Sequence, residues 1–260
     1  MQTERPGRLH GRIALVTGAS RGIGHAIATR FAEEGATVVI VSRKQPAIEA
    51  AAEAIVAETG GQVIGRVCHV GQQEHITELL SWMGSEAGPG LPDILVNNAA
   101  TNPYYGPIIN TPETAWDKTM EVNLKGPFSL IQAVAGALVA AKKPGSIINI
   151  SSVAGLGAAP LQGVYGMSKA AMISMTQTFA LELGPLGIRV NAVAPGLVET
   201  RLAAGLTENP EFAKMYTDRA AQKRYGQPSE IADIVVYLAS DEASYMTGQV
   251  VRVDGGYNLF

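Results

Sequence analysis

The residues best suited to chemistry in this chain are Tyr165 and Lys169, in 163-GVYGMSKAAM-172, with Ser152 thirteen positions before the tyrosine and Asn123 further upstream. A phenol and an ammonium four residues apart stack on one face of a helix. A free phenol titrates at about 10 and is a poor proton donor to a carbonyl at neutral pH. An ammonium within a few ångströms favours the phenolate and is expected to bring that value toward the working range. In a chain with 8 tyrosines the spacing alone carries little weight. The surroundings must decide.

A second group of residues is suited to holding a phosphate. In 17-TGASRGIGHAIATRFAEEG-35, Gly18, Gly22 and Gly24 stand between an apolar run and a helical pattern beginning near Ile23, with Ser20 and Arg21 inside the turn. Such a turn lets a pyrophosphate approach the backbone and meet unpaired helix N–H groups. The spacing differs from G-x-G-x-x-G. The next apolar run ends in Ser42, Arg43 and Lys44, where a site selective for NAD would place a carboxylate. Guanidinium and ammonium groups there suit a 2′-phosphate, so the expected cofactor is NADP(H).

These residues need a scaffold that brings strand ends together. Apolar runs at 12–18, 37–43, 62–70, 93–99, 145–152, 188–194 and 249–255 alternate with helical patterns at 23–34, 45–59, 72–86, 113–142, 166–184 and 228–239. Near-continuous apolar strands alternating with helices predict a doubly wound, parallel, seven-stranded α/β sheet of Rossmann type. No linker or repeat divides residues 1–260, so one domain is expected, with 1–10 as a polar N-terminal tail. In such a sheet ligands bind beyond the carboxyl ends of the strands.

Composition limits the alternatives. The chain has 47% hydrophobic and 17% charged residues and a net charge of −3, which gives no footprint for nucleic acid. Its charge-free stretches are broken by Pro, Gly, Asn and Ser, so no membrane helix is expected. The single cysteine, Cys68, fits a reducing compartment, and with no leader-like segment a cytoplasmic location is expected. The four histidines form no cluster suited to a metal.

Taken together, TGASRGIG at 17–24, NNAA at 97–100, Asn123 in EVNLKG, Ser152 in INISS, Tyr165 and Lys169 in YGMSK, PGLVET at 195–200 and DGG at 254–256 resemble the short-chain dehydrogenase/reductase family over essentially the whole chain. The resemblance implies that Tyr165 exchanges a proton with the carbonyl oxygen, that Ser152 hydrogen-bonds the same oxygen, and that Lys169 also holds the nicotinamide ribose. Asn123 would hold a relay water. Asn98 and Ala99 would flank the adenosine, with His69 and Val70 at the adenine. Pro195 and Gly196 would border the cofactor, the backbone at Val198 would meet the carboxamide, and Thr200 would approach the phosphates or cap the helix that follows. His69 stands where relatives commonly carry an aspartate, which implies a weaker adenine contact.

The resemblance, closest to the carbonyl/retinal reductase branch, implies reduction of a small carbonyl compound to an alcohol. The pocket is expected to be shaped by 101–107, by 153–161 and by a lid at 197–226, and Tyr104, Tyr105, Leu156, Leu161, Leu202 and Met215 lead us to expect an apolar or aromatic substrate there. A 3-oxoacyl-carrier-protein reductase and a catalytically silent NADP-binding module are the competing readings. The family precedent for the apolar helices at 127–141 and 166–184 is a homotetramer built as a dimer of dimers.

Overall fold

Strand β1 (Ile13–Thr17) is the apolar run IALVT with four of its five residues buried. Its alternate side chains enter different layers: Ala14 and Val16 pack on one side of the sheet and Leu15 on the other. Strands covered on both faces read as continuous apolar runs, which is why this element was legible in the sequence. The computed structural model describes residues 6–207 and 209–259.

From β1 the chain passes through α1 (Gly22–Glu33), β2 (Thr37–Ser42), α2 (Gln45–Thr59), β3 (Gln62–Val67), α3 (Gln73–Met83) and β4 (Ile94–Asn97). It continues through α4 (Glu113–Met120), α5 (Gly126–Ala141), β5 (Gly145–Ile150), α6 (Gly163–Leu183) and β6 (Ile188–Pro195). Helices α7 (Ala204–Thr207), α8 (Pro210–Arg219) and α9 (Pro228–Ala239) precede the last strand, β7 (Val250–Val253). The strands form one seven-stranded sheet in the order β3-β2-β1-β4-β5-β6-β7. Every pairing is parallel.

Helices α1, α2 and α9 cover one face through Ile27, Phe31, Ile48 and Val235. Helices α3 and α5 cover the other through Ile76, Leu79, Leu130 and Val134. Strand order reverses where β4 returns beside β1, and a crevice opens beyond the carboxyl ends of those two strands. That crevice carries the site.

Three features differ from the sequence expectation. Residues 7–10 do not trail as a tail: Leu9 is fully buried, its N–H donates to the Glu34 carbonyl at 3.0 Å, and Arg8 pairs with the Glu34 carboxylate at 2.6 Å. Residues 1–5 of that segment lie outside the described residues. The expected helix 113–142 carries a π turn at Glu121–Lys125, centred on Asn123. Helix α6 begins at Gly163, three residues earlier than its apolar pattern suggests, because glycine lets its first turn sit against neighbouring chain. A Cβ on Gly166 would lie 2.8 Å from the Ala154 carbonyl oxygen.

Candidate active site and cofactor groove

Strand β5 delivers Ser151 and Ser152 to the crevice, and α6 runs back across it carrying Tyr165 and Lys169. The two elements are tied by polar bonds in the core. Ser151 Oγ donates to the Lys169 carbonyl at 2.9 Å, and Asn149 Nδ2 donates to Thr176 Oγ1 at 2.8 Å. Buried polar groups that are fully partnered fix one arrangement at the expense of others. Ser152 Oγ accepts the Ala154 N–H at 3.1 Å and also hydrogen-bonds the Tyr165 phenol.

Lys169 is 1% exposed, and its Nζ donates to the Ile150 carbonyl at 2.7 Å. Its Nζ lies 5.6 Å from the centre of the Tyr165 ring. Burial pushes the Tyr165 phenol up to about 12, with the Ser152 hydrogen bond pulling weakly the other way. Burial also pushes Lys169 down to about 7. This corrects the expectation that the ammonium draws the phenol toward neutrality. Desolvation disfavours the charged form of both groups and is the largest cause of each shift. Burial therefore favours the neutral phenol. Burial likewise favours the neutral amine of Lys169, and an anion formed beside it would favour the charged form.

Asn123 is fully buried in the π turn. Its Oδ1 accepts the Thr101 N–H at 2.8 Å, and its Nδ2 donates to the Thr101 carbonyl at 2.9 Å and to Ser168 Oγ at 3.1 Å. Both amide protons are used, so the side chain clamps the segment after β4 onto α6 beside Lys169. Any relay water must bind at a carbonyl or at the remaining Oδ1 lone pair.

Beside this cluster runs a groove of about 360 Å³ lined by Gly18, Ser20, Arg21, Gly22, Ile23, Ser42, Arg43, His69, Val70, Asn98, Ala99 and Thr200, all expected from the sequence. Gly18 and Gly22 hold φ of +64° and +61°, and a Cβ on Gly18 would lie 2.7 Å from Ala99 Cα. Gly24 supports the turn from behind, where a Cβ would lie 2.4 Å from Asn98 Nδ2. Thr17 Oγ1 locks this floor by accepting the N–H groups of Asn98 and Ala99, each at 3.0 Å. No side chain caps the N-terminus of α1. Ser42 Oγ is buried with no partner among the described residues. An orphaned hydroxyl, a helix N-terminus and a turn whose glycines leave the backbone bare fit a dinucleotide phosphate and ribose. A second cavity, also of about 360 Å³, contains Ser152, Tyr165, Lys169, Pro195, Gly196 and Val198, and shares Ile23, Asn98 and Thr200 with the groove.

A family model described as enoyl-(acyl carrier protein) reductase matches residues 18–258. The human protein "Dehydrogenase/reductase SDR family member 4" is 40% identical over 248 residues, covering 95% of this chain and 88% of that protein. This chain belongs to the short-chain dehydrogenase/reductase family. "Tropinone reductase-like 3" of Erythroxylum coca is 39% identical, covering 96% and 94% of the two chains. The solved structure of a gluconate 5-dehydrogenase from Burkholderia cenocepacia, in complex with NADP and tartrate, superposes with a TM-score of 0.92 at 33% identity and 97% coverage of both chains.

Within this dehydrogenase/reductase scaffold several expected residues fall elsewhere. Lys44 does not line the groove; it occupies the exposed N-cap position of α2. His69 lines the groove, yet both ring nitrogens meet protein atoms: Nδ1 accepts the Gly71 N–H at 3.1 Å, and Nε2 lies 3.2 Å from Lys118 Nζ. Burial and the Lys118 charge hold its pKa below the usual histidine value. Of the six apolar residues expected at the substrate, only Tyr105 and Leu202 line the cavity. Leu156, Leu161 and Met215 are exposed outside it, and Tyr104 donates to the Pro107 carbonyl at 3.0 Å.

The cavity wall instead includes Asn102, Gln162, Tyr216, Arg219 and Asn258. Tyr216 accepts the Leu197 N–H at 2.6 Å, and its ring stacks on Tyr257 at 4.4 Å. It thereby anchors the 197–226 segment to the C-terminal turn. Asn102, Tyr216 and Arg219 lie in the segments 101–107 and 197–226 expected to shape the pocket, but no motif singles out these polar residues, and Gln162 and Asn258 lie outside every expected segment.

Proposed function

We propose that this protein is an NADPH-dependent reductase of ketones and aldehydes, with the reverse oxidation open to it. The observation that carries this reading is the convergence of Ser152, Tyr165 and Lys169 in one cavity adjoining the dinucleotide groove. NADPH, when bound, supplies the hydride. Arg43, Arg21 and Ser42 would hold the 2′-phosphate and ribose, and Gly18, Gly22 and the α1 N-terminus the pyrophosphate. The gluconate 5-dehydrogenase structure with NADP supports that choice of cofactor.

The proton inventory follows from burial. As negative charge develops on the carbonyl oxygen, Ser152 and Tyr165 donate hydrogen bonds to it, and the Tyr165 proton transfers to complete the alcohol. The phenolate left behind is stabilised by Ser152 and by Lys169, whose proton affinity rises once an anion stands beside it. A silent NADP-binding module is disfavoured because all four polar positions are occupied and mutually arranged.

A homotetramer is part of the same proposal. The helical stretch Glu113–Ala141 contains an 18-residue window apolar enough to cross a membrane by length and composition alone, contrary to the sequence expectation, and 39% of that window is buried within the protein. One side of α5 packs on the sheet, while Phe128 and Val139 stay exposed, as do Met167 and Leu181 on α6. Burying these faces against a second copy accounts for their composition. Sedimentation or light scattering at micromolar concentration should return four chains, and a monomer would refute that part.

The enzymatic reading is tested by following NADPH oxidation with a panel of ketones and aldehydes, an acetoacetyl thioester included. Consumption of NADPH and not NADH, coupled to alcohol formation, supports it. Absence of turnover with every carbonyl, despite NADPH binding, would favour the binding module. Preference for the thioester would favour the acyl-carrier-protein substrate.

A further inference from the structure

The cavity beside Tyr165 has an organised polar wall that the proton chemistry does not use. Asn102, from the segment after β4, donates through Nδ2 to Gln162 Oε1 at 3.2 Å, and both side chains line the cavity. Tyr105 donates to the Leu202 carbonyl at 2.9 Å, and Asn102 hydrogen-bonds the same phenol. These bonds link the 197–226 segment, the 101–107 loop and the entry to α6. Gln162 immediately precedes α6, and its Oε1 is fixed by Asn102. Its Nε2 has no hydrogen-bond partner among the described residues. The amide therefore presents two N–H donors, already oriented, three residues before Tyr165.

A pre-oriented donor in a binding cavity loses its hydrogen bonds to water when an apolar ligand enters, unless the ligand supplies an acceptor. Sites built this way reject analogues that lack the acceptor. From this geometry we infer that the substrate carries a second, uncharged oxygen close to the reacting carbonyl, read by Gln162 with Asn102 as its positioning residue. Hydroxy ketones and diketones are the class that fits. The amide pair itself carries no charge, so a neutral oxygen is favoured at this position, while Arg219 elsewhere in the cavity wall makes the oxo acid the necessary control. The inference rests on the reductase reading above, and it replaces the apolar substrate expected from the sequence.

The test uses the full-length protein with NADPH and matched pairs of ketones that differ only in a hydroxyl next to the carbonyl, with the corresponding oxo acid as a third arm. The parent enzyme should favour the hydroxy ketone by about tenfold in kcat/KM, the size expected for one hydrogen bond to a neutral group. Gln162→Met should bring that ratio to within about twofold of one, mainly through KM. Asn102→Leu should lower it partway, because the amide then rotates freely. Thermal melting and an NADPH fluorescence titration establish that each variant is folded and binds cofactor. Equal rates on the pair in the parent enzyme, an unchanged ratio in Gln162→Met, or a preference for the oxo acid would each overturn the inference. Failure to reduce any ketone would instead defeat the reductase reading, so the two failures are distinguishable.

Discussion

Replacing Lys169 with methionine should stabilise the protein, and should do so more strongly at acidic than at alkaline pH. An unperturbed lysine titrates at 10.5, whereas burial brings Lys169 down to about 7. Between those values the unfolded chain holds a proton that the folded chain has released, so stability rises with pH across this window. At about pH 6 both states are protonated and nearly the whole desolvation penalty, about 5 kcal/mol, opposes folding. At about pH 9.5 the folded lysine is neutral and the unfolded one is within about a pH unit of its own midpoint, so only about 1–2 kcal/mol of the penalty remains.

Methionine has a similar length and no charge, so the variant lacks this dependence. The stability difference between variant and parent should shrink by about 3 kcal/mol from pH 6 to pH 9.5. Denaturant unfolding of both proteins at several pH values measures that difference, and groups common to both cancel. The upper limit keeps Tyr165, pushed up to about 12, protonated throughout. A difference that stays constant to within about 1 kcal/mol would show that Lys169 is not desolvated as the structure has it, and the account of its role would fall with it.

Further outcomes follow from single contacts. Tyr165→Phe should lower kcat for ketone reduction by about 1,000-fold with NADPH binding retained, as judged by stopped-flow rates and fluorescence titration. Arg43→Ser should weaken NADPH binding by about 10–100-fold and leave NADH nearly unaffected, since only the former carries the 2′-phosphate; calorimetric titration of both cofactors checks this. Asn123→Leu strands the Thr101 N–H and carbonyl and should cost about 2–4 kcal/mol in denaturant unfolding, with turnover falling as well because the clamp beside Lys169 is lost.

Much of the fold was legible because parallel strands buried on both faces spell themselves as apolar runs, as IALVT and TVVIVS do. The glycine turn was legible for a related reason: Gly18 and Gly22 hold left-handed backbone that other residues adopt only under strain. The start of α6 was misread because its two glycines look like loop, whereas they allow a tight approach to Ala154 and Ile108. Leu161 and Met215 were misassigned to the cavity because hydrophobicity reports a tendency to be covered and says nothing about by what.

The sequence by itself determined the covalent inventory: a phenol, an amine, a hydroxyl and an amide at family spacing, and the strand ends that would carry them. Tertiary structure alone decided their electrostatics. Whether Lys169 lowers the Tyr165 pKa or is itself neutralised depends on the distance between them and on the water removed from both, and neither quantity is written in a spacing of four residues. The same holds for Asn102 and Gln162, sixty positions apart, whose pairing across the cavity arises only when the segment after β4 and the entry to α6 meet.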